Sequence, residues 1–313
     1  MKTLEKKFRL LLVIGLIATL GLASCENDDE DNETPQTNEV TIVDVASSDD
    51  TYSTLVAALQ KADLASTLQG DGPFTVFAPT NEAFNNLLQE LGASSLDDLT
   101  ADQLEPILLY HVVSGKVMST DLANGYVKSL SPGPGNTQAD ILMNIDNGVS
   151  LNSSSSVTAA DIEADNGVIH QIDEVLLPPT VVDIASNNSN FSTLVDAVVK
   201  ADLAETLAGD GPFTIFAPTN QAFQDLLNEL GASSLDDLSK EDLLPILNYH
   251  VVSGNVLSSD LSSGNVTTIG GKDIAVDVGN SVTINGSSNV TAVDIQGTNG
   301  VIHVIDEVLL PED

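Results

Sequence analysis

Four histidines are the side chains that could most readily move protons or bind a metal near neutral pH. His111 and His250 each follow a tyrosine and precede Val-Val, whereas His170 and His303 alternate with valine and isoleucine. Neither arrangement has the His, Cys or carboxylate spacing of a zinc site. The apolar neighbours favour half-buried histidines that are hydrogen-bonded for structural reasons. Metal ligation is the alternative.

Catalytic motifs are missing from the sequence beyond residue 24. It contains no G-x-S-x-G, H-E-x-x-H, P-loop or G-x-G-x-x-G pattern. Asp161, Glu163 and Asp165 are spaced as in a calcium loop, but Asn166 stands where that loop requires glycine. Asp71 and Asp210 lie in Gly-Asp-Gly-Pro, which is a turn composition. We therefore predict no enzyme, no catalytic residue, no metal site and no cofactor.

The charge of the chain excludes one class of partner. The 313 residues include 46 Asp+Glu and 10 Lys+Arg, and four of these cations lie in the first nine residues. Beyond residue 24, six lysines stand against 45 acidic residues, which is a net charge of −39. Such a chain repels a polyanion and has no arginine or tryptophan to contact bases, so nucleic-acid binding is excluded.

The amino terminus has the anatomy of an export signal. A basic stretch at residues 1–9 precedes an apolar run of 14 residues, which is shorter than the roughly 20 residues of a membrane-spanning helix. Leu22-Ala-Ser-Cys25 is similar to the lipobox of bacterial lipoproteins, in which the cysteine becomes the acylated first residue. We predict a lipoprotein signal peptide at 1–24 and lipid attachment at Cys25. A plain signal peptide with an incidental cysteine is the alternative.

An acidic segment follows the cysteine. Residues 26–33 contain six acidic side chains in eight positions, a composition that cannot collapse into a core. We predict an extended tether at 25–39. Its composition resembles the surface-export signals of Bacteroidetes-type lipoproteins, and a plain spacer is the alternative.

Most of the remaining chain is a tandem repeat. Residues 70–100 match residues 209–239 at 25 of 31 positions, at an offset of 139. Near the end the offset falls to 133, so the second copy lacks six residues around the Pro132-Gly-Pro-Gly135 turn of the first. A period this long indicates two whole domains. We place the first repeat at 40–178 and the second at 179–313, joined at Pro178-Pro179 with almost no linker.

Each repeat has a helical front half and a strand-rich back half. Phe74-Thr-Val-Phe77 predicts a buried strand, and Thr80 is a plausible N-cap for the helix that follows. Thr100 and Gln103 form a capping-box pattern, and Pro106 must kink that helix or begin a new turn. The back half alternates apolar and polar residues and carries four tight-turn signals, at Asn147-Gly148, Asn166-Gly167, Asn285-Gly286 and Asn299-Gly300. The fold class is α+β, with antiparallel strands and helices on one side.

Three motifs identify the repeats with a known family. These motifs occur in order in both copies: Gly-Pro-Phe-Thr-Val-Phe-Ala-Pro-Thr-Asn-x-Ala-Phe, with Ile215 in place of the valine in the second copy, the mid-domain Tyr-His pair, and Asn-Gly-Val-Ile-His-x-Ile-Asp-x-Val-Leu-Leu-Pro. They resemble the hallmarks of the fasciclin domain. The resemblance implies two tandem β-wedge or sandwich domains flanked by several helices. In animal fasciclin proteins the Tyr-His segment is linked to integrin-mediated adhesion, so the implied binding residues are Tyr110, His111, Tyr249 and His250. A packing role for these pairs is the alternative.

These features predict an adhesion or binding protein, anchored by lipid in the outer membrane or cell surface of a bacterium. The resemblance implies a partner on another cell, in the extracellular matrix or on a polysaccharide. The alternative is a capture protein for an extracellular polysaccharide or small ligand in an envelope uptake system, which would require a concave pocket.

Overall fold

A computed structural model of the chain describes residues 39–311. The predicted signal peptide, Cys25 and all but the last residue of the tether lie outside these residues. Among the described residues, no helix is both long and apolar enough to cross a membrane. The residues from Glu39 onward form one compact unit, which contains both repeats.

The first repeat runs from helices into strands. Its helices are α1 (Ile42–Ser47), α2 (Ser53–Lys61), α3 (Ala65–Leu68), α4 (Asn81–Glu90) and α5 (Ala101–Tyr110). Its strands are β1 (Phe74–Pro79), β2 (Val112–Ser114), β3 (Gly125–Pro132), β4 (Gln138–Asn144), β5 (Ser150–Leu151), β6 (Ser155–Ala164) and β7 (Gly167–Ile172). The predicted order, with a helical front and a strand-rich back, is confirmed.

The second repeat has the same order of elements. Its helices are α6 (Val181–Asn187), α7 (Ser192–Lys200), α8 (Ala204–Ala208), α9 (Asn220–Leu230) and α10 (Lys240–Tyr249). Its strands are β8 (Phe213–Pro218), β9 (Val251–Ser253), β10 (Gly264–Thr267), β11 (Asp273–Val278), β12 (Val282–Ile284), β13 (Ser288–Gln296) and β14 (Gly300–Ile305).

Local sequence explains where these helices begin. The Thr80 hydroxyl accepts a hydrogen bond from the Ala83 N–H, as its predicted N-cap role requires. Thr100 and Gln103 form both halves of the predicted capping box at the start of α5. Helix α5 continues as one element through Pro106, rather than ending there. Because Pro106 is the sixth residue of α5, its ring removes one i→i−4 hydrogen bond from the interior of the helix.

Each sheet is antiparallel, as predicted, except for one parallel pair that the sequence did not indicate. Strand β1 pairs parallel with β7, and β8 pairs parallel with β14. These pairs bring the first family motif of each domain against the last one, although the two motifs lie about 90 residues apart in sequence. Alternation within single strands predicts a strand face, but it carries no information about the direction of a distant partner.

The two sheets differ in closure. In the first repeat the seven strands form a closed barrel, in which Val113 of β2 pairs with Ser129 of β3. In the second repeat the sheet is open, and its order is β10-β11-β12-β13-β14-β8-β9. Strand β3 has eight residues and β10 has four. Strand β10 is thus a shorter counterpart of β3, the strand that closes the first barrel. It lies next to the position where the second repeat lacks six residues.

Candidate functional site

His111 and His250, predicted as binding residues, lie inside the domains. They are 1% and 2% exposed and directly follow helices α5 and α10. The His111 Nδ1–H donates to the Ile107 carbonyl at 2.7 Å, and Nε2 accepts from the Leu176 N–H at 2.9 Å. His250 makes the same two bonds, to Ile246 and Leu309. Because a carbonyl only accepts and an amide N–H only donates, these contacts define the neutral Nδ1–H tautomer.

Burial holds both rings in the neutral state. It lowers the pKa of His111 and of His250 to about 4, and the helix carbonyl beside each ring only partly offsets this effect. Each imidazole therefore joins the end of a helix to the carboxyl-terminal segment of its domain. Neither ring nitrogen has a free position for a proton donor, a metal or a partner.

The tyrosines of the two pairs are also buried, at 0% and 4% exposure. The Tyr110 hydroxyl donates to the Asp140 carbonyl at 2.7 Å and accepts from the Asn152 amide at 3.0 Å. Tyr249 makes the equivalent bonds to the Asp273 carbonyl and the Asn285 amide. These contacts join the helix to the strand pair that follows it, which is the arrangement expected of a packing role.

The second histidine of each domain is fully buried rather than half-buried. The Nε2–H of His170 donates to the Val117 carbonyl at 2.9 Å, and its Nδ1 accepts from the Asp161 N–H at 3.2 Å. His303 contacts Val256 and Asp294 in the same way. Within the described residues, no cluster of three or more His, Cys, Asp or Glu side chains could hold a metal ion.

The two domains meet along an interdomain seam, formed by Tyr126, Pro134, Asp140 and Ser153 of the first and Asn187, Asn188, Asn255 and Gln296 of the second. At its centre the Gln296 N–H donates to the Asp140 carboxylate at 2.8 Å. Beside it, the Asn255 amide donates to the Pro134 carbonyl at 3.3 Å and exchanges hydrogen bonds with the Gln296 side chain. Pro134 belongs to the six-residue insertion, so the insertion supplies part of the seam.

The rest of the seam is polar as well. The Asn188 amide donates to the Tyr126 hydroxyl at 2.9 Å, and the Ser153 hydroxyl donates to the Asn187 carbonyl at 2.6 Å. The Tyr126 ring packs against the apolar core of the second domain. The two domains are thus joined by specific hydrogen bonds and one aromatic anchor.

A comparison of the repeats shows why this face of the second domain is an interface. Asn255 and Gln296 are the counterparts of Lys116 and Glu163, whose ammonium and carboxylate form an exposed ion pair at 2.6 Å. In the second domain the charged pair is replaced by a neutral amide pair, and Gln296 is fully buried. Neutral amides can be buried at lower cost than an ion pair. This substitution and the insertion were visible in the sequence, but neither indicated a contact by itself.

An open interdomain cleft of about 1060 Å³ lies beside the seam. Its walls come from both domains and combine amide and hydroxyl side chains with an apolar strip. The amide side chains are those of Asn124, Asn144, Asn187, Asn188 and Asn190. The charged ones are those of Lys128, Asp140, Asp146 and Asp294, and Tyr126 adds an aromatic ring. The cleft was not predictable from the sequence. Its two walls are more than 30 residues apart along the chain, and only the packing of the domains brings them together.

Comparisons with known proteins agree with the three motifs. The family model of the fasciclin domain matches residues 50–178 and 189–311. Over 249 residues the chain is 33% identical to transforming growth factor-beta-induced protein ig-h3 of Sus scrofa and 32% identical to periostin of Homo sapiens. Each match covers 78% of this chain, but only 36% and 29% of the relatives, so the chain spans about a third of their length.

A bacterial relative and a solved structure are also similar. Protein sll1483 of Synechocystis is 43% identical over 132 residues, which cover 42% of this chain and 73% of that protein. A FAS1 domain pair from the insect cell adhesion molecule fasciclin I covers 82% of this chain and 93% of its own, at 22% identity and a TM-score of 0.43.

Proposed function

We propose that this chain, which belongs to the fasciclin family, is a non-catalytic, lipid-anchored protein of the bacterial cell surface. It attaches to a partner through its two fasciclin domains. The partner is a cell surface, a matrix protein or a polysaccharide. The lipobox-like sequence at Cys25 and the acidic tether at 25–39 support export and anchoring.

One observation favours a binding role over a catalytic role. All four histidines of the chain, which are its most suitable acid–base groups, have both ring nitrogens hydrogen-bonded to backbone atoms, as the contacts of His111 and His170 illustrate. A histidine can act as an acid–base catalyst only if one of its ring nitrogens faces the substrate. A partner can bind instead to the outer surface of the two domains, which the seam holds in one relative arrangement.

We propose further that the Tyr-His pairs support binding from within rather than by contact. Tyr110 and His111 are buried, and so are Tyr249 and His250, so their side chains reach a partner only if the domain opens. Their hydrogen bonds position the strands and the carboxyl-terminal segments that lie above them.

Anchoring and attachment are tested separately. Bacteria that produce the full chain are labelled with radioactive palmitate, and Cys25→Ser is the control. The wild-type chain is expected to carry label that the variant lacks. Protease added to intact cells is expected to release the domains and leave the label on a short membrane-bound fragment. Label on both proteins, or on neither, would contradict the anchor.

Attachment is measured with the full chain in lipid vesicles. The vesicles are presented to immobilised cells, matrix proteins and polysaccharides. Saturable binding to one of these surfaces is expected, and vesicles without protein are the control. Absence of binding to every surface would contradict the proposed function.

The interdomain cleft favours a second candidate function, which is the capture of a small ligand or glycan. A concave, mostly uncharged space at a domain junction is a common position for ligand sites. This role would leave attachment to cells weak and would place binding at the cleft residues.

A further inference from the structure

We infer that the interdomain cleft binds a neutral, hydroxyl-rich oligosaccharide. The proposal deepens the binding function above by naming a ligand class and a site, and it rests on that function.

The size and position of the cleft fit such a ligand. Its volume of about 1060 Å³ lies just above the range typical of small-ligand pockets, which is about 300–1,000 Å³. It is open rather than enclosed, so a chain of sugar rings can enter without unfolding either domain. Both domains contribute walls, so the ligand would contact the tandem as a unit.

The walls are unusually rich in amides. Asn187, Asn188 and Asn190 face the cleft from the second domain, whereas their counterparts in the first domain are Ser48, Asp49 and Thr51. Asn124 and Asn144 stand on the opposite wall. An amide side chain both donates and accepts, and so does a sugar hydroxyl, so each can satisfy the other without any charge.

Several of these groups have hydrogen-bonding capacity left over. The Asn188 side chain is engaged, since it bonds to Tyr126. The side-chain amides of Asn187 and Asn190 make no hydrogen bond within the described chain, and the Asn144 side chain only accepts one, from the Asp146 N–H. Their donors and acceptors are therefore available to a ligand in the cleft.

The charges in the cleft exclude an anionic ligand. Lys128 lies 3.7 Å from the Asp140 carboxylate, which offsets its charge, and Asp146 and Asp294 add two further negative charges. A polyuronate or a phosphate would be repelled both here and by the acidic chain as a whole.

Each carboxylate that lines the cleft accepts a hydrogen bond from the protein: Asp140 from Gln296, Asp146 from Asn124 and Asp294 from Ser258. A hydrogen-bonded carboxylate keeps its charge and further lone pairs, so a cationic ligand is the alternative that the chitosan comparator tests. The uncharged amides, which outnumber the carboxylates on the walls, favour a neutral ligand.

The aromatic residues are distributed in agreement with this assignment. Three of the four tyrosines, Tyr52, Tyr110 and Tyr249, are buried, and Tyr126 is the one that lines the cleft. Its ring is partly exposed and its hydroxyl is oriented by Asn188. With the apolar strip that includes Ala292 and Val293, it gives the nonpolar face of a sugar ring a surface to rest on.

The test uses the full chain in detergent and isothermal titration calorimetry. The neutral probes are cellohexaose, mannohexaose and laminarihexaose, and the charged comparators are hexagalacturonate and a chitosan hexamer. The cleft variant is Asn187→Ala with Asn190→Ala, which removes two unengaged amides. The matched control is Asn265→Ala with Asn280→Ala, which removes two exposed amides outside the cleft. Urea unfolding is measured to check that both variants keep the stability of the parent.

The proposal expects at least one neutral hexaose to bind with one site per chain. Binding should weaken about 10-fold in the cleft variant, which corresponds to about 1.4 kcal/mol, and stay within about 2-fold in the control. No binding of any neutral hexaose at millimolar concentration, equal binding by the cleft variant, or preference for a charged comparator would each overturn it.

Vesicle attachment is measured with the same proteins, so the two proposals can fail separately. Attachment that is unaffected by the cleft variant and by free hexaose would overturn the cleft as the site while the attachment function stands. Loss of attachment by the wild-type chain itself would remove that function.

Discussion

The backbone N–H of Gln296 donates to the Asp140 carboxylate at 2.8 Å, and this bond joins the two domains at a buried point. The Asp140 side chain is 5% exposed, and its nearest cation is Lys128 at 3.7 Å. Burial raises the pKa of the Asp140 carboxyl, and the Gln296 N–H and Lys128 counteract this only in part. The Asp140 carboxylate therefore stabilises the fold as a hydrogen-bond acceptor, whereas its buried charge is destabilising.

Substitution of Asp140 separates these two effects. Asp140→Ala leaves the Gln296 N–H buried without an acceptor, and we expect it to lower the free energy of unfolding by about 1–3 kcal/mol. Asp140→Asn keeps an oxygen acceptor and removes the charge, so we expect it to be neutral or stabilising at pH 7. Urea unfolding measures both. The control is Asp273→Ala at the exposed counterpart, where a change within about 0.5 kcal/mol is expected.

The pH dependence of Asp140 has a defined sign. Its folded pKa lies above the unfolded value, so the folded state holds the proton more tightly than the unfolded chain. Its contribution to stability is therefore fully present at low pH and is lost as pH rises through the folded pKa. The Asp140→Asn variant should lose this pH-dependent component of the free energy of unfolding. The prediction is contradicted if the difference in free energy of unfolding between the wild-type chain and the variant does not change with pH.

His111 and His250 have the opposite sign. Their pKa is about 4 when folded, against the ordinary value of 6.5, so the unfolded chain takes up protons first as pH falls. Their stabilisation is present above pH 6.5 and is lost between that value and about 4. A shift of this size is worth about 3 kcal/mol for each ring.

Urea unfolding at a series of pH values checks this prediction. We expect the free energy of unfolding to fall below pH 6.5 in the wild-type chain. In a variant with both histidines replaced by glutamine the decline should be much smaller. A wild-type curve that is flat from pH 7 to pH 5 would contradict the buried, neutral assignment.

The double variant His111→Ala with His250→Ala tests packing against direct binding. Each change leaves a buried backbone N–H, at Leu176 or Leu309, without its acceptor. We expect a loss of about 2 kcal/mol or more per site, seen as a lower melting temperature. Unchanged melting together with lost attachment would instead support direct contact between these side chains and a partner.

Gly167 has no space for a side chain. A Cβ at this position would lie 2.1 Å from the Phe74 carbonyl oxygen and 2.7 Å from the Ile42 Cδ1. Gly167→Ala should therefore force apart the parallel pair β1–β7 and lower the free energy of unfolding by about 3 kcal/mol. At Gly279 the nearest atom to a Cβ would be 3.9 Å away, so Gly279→Ala is the control and should change stability little. Equal effects of the two substitutions would contradict the close approach.

Local features of the fold were predictable from the sequence, because they depend on neighbouring residues. The Thr80 cap, the Thr100–Gln103 capping box and the turn at Asn166-Gly167 all lie where their patterns place them. The parallel pairing of β1 with β7 was not predictable from such patterns, since it joins segments about 90 residues apart.

The candidate site was much less predictable. The Tyr-His pairs were recognisable as motifs, but burial and backbone partners could not be read from their spacing. The seam depends on residues that look ordinary singly: a proline in the insertion, Asp140, and the replacement of Lys116 and Glu163 by neutral amides in the second repeat. Only the packing of one domain on the other gives them a shared role.

Attachment of the vesicle-anchored full chain, with an intact or a weakened seam, tests the central claim most directly. The weakened variant is Asn255→Ala with Gln296→Ala, which removes the hydrogen bond from Asn255 to the Pro134 carbonyl of the first domain and the Gln296 amide that orients Asn255. If the two domains bind as one unit, the wild-type chain should attach saturably to at least one cell, matrix or polysaccharide surface, and the variant should attach more weakly although both domains stay folded. Attachment of equal strength by the two proteins, or turnover of a presented polymer in place of binding, would contradict it.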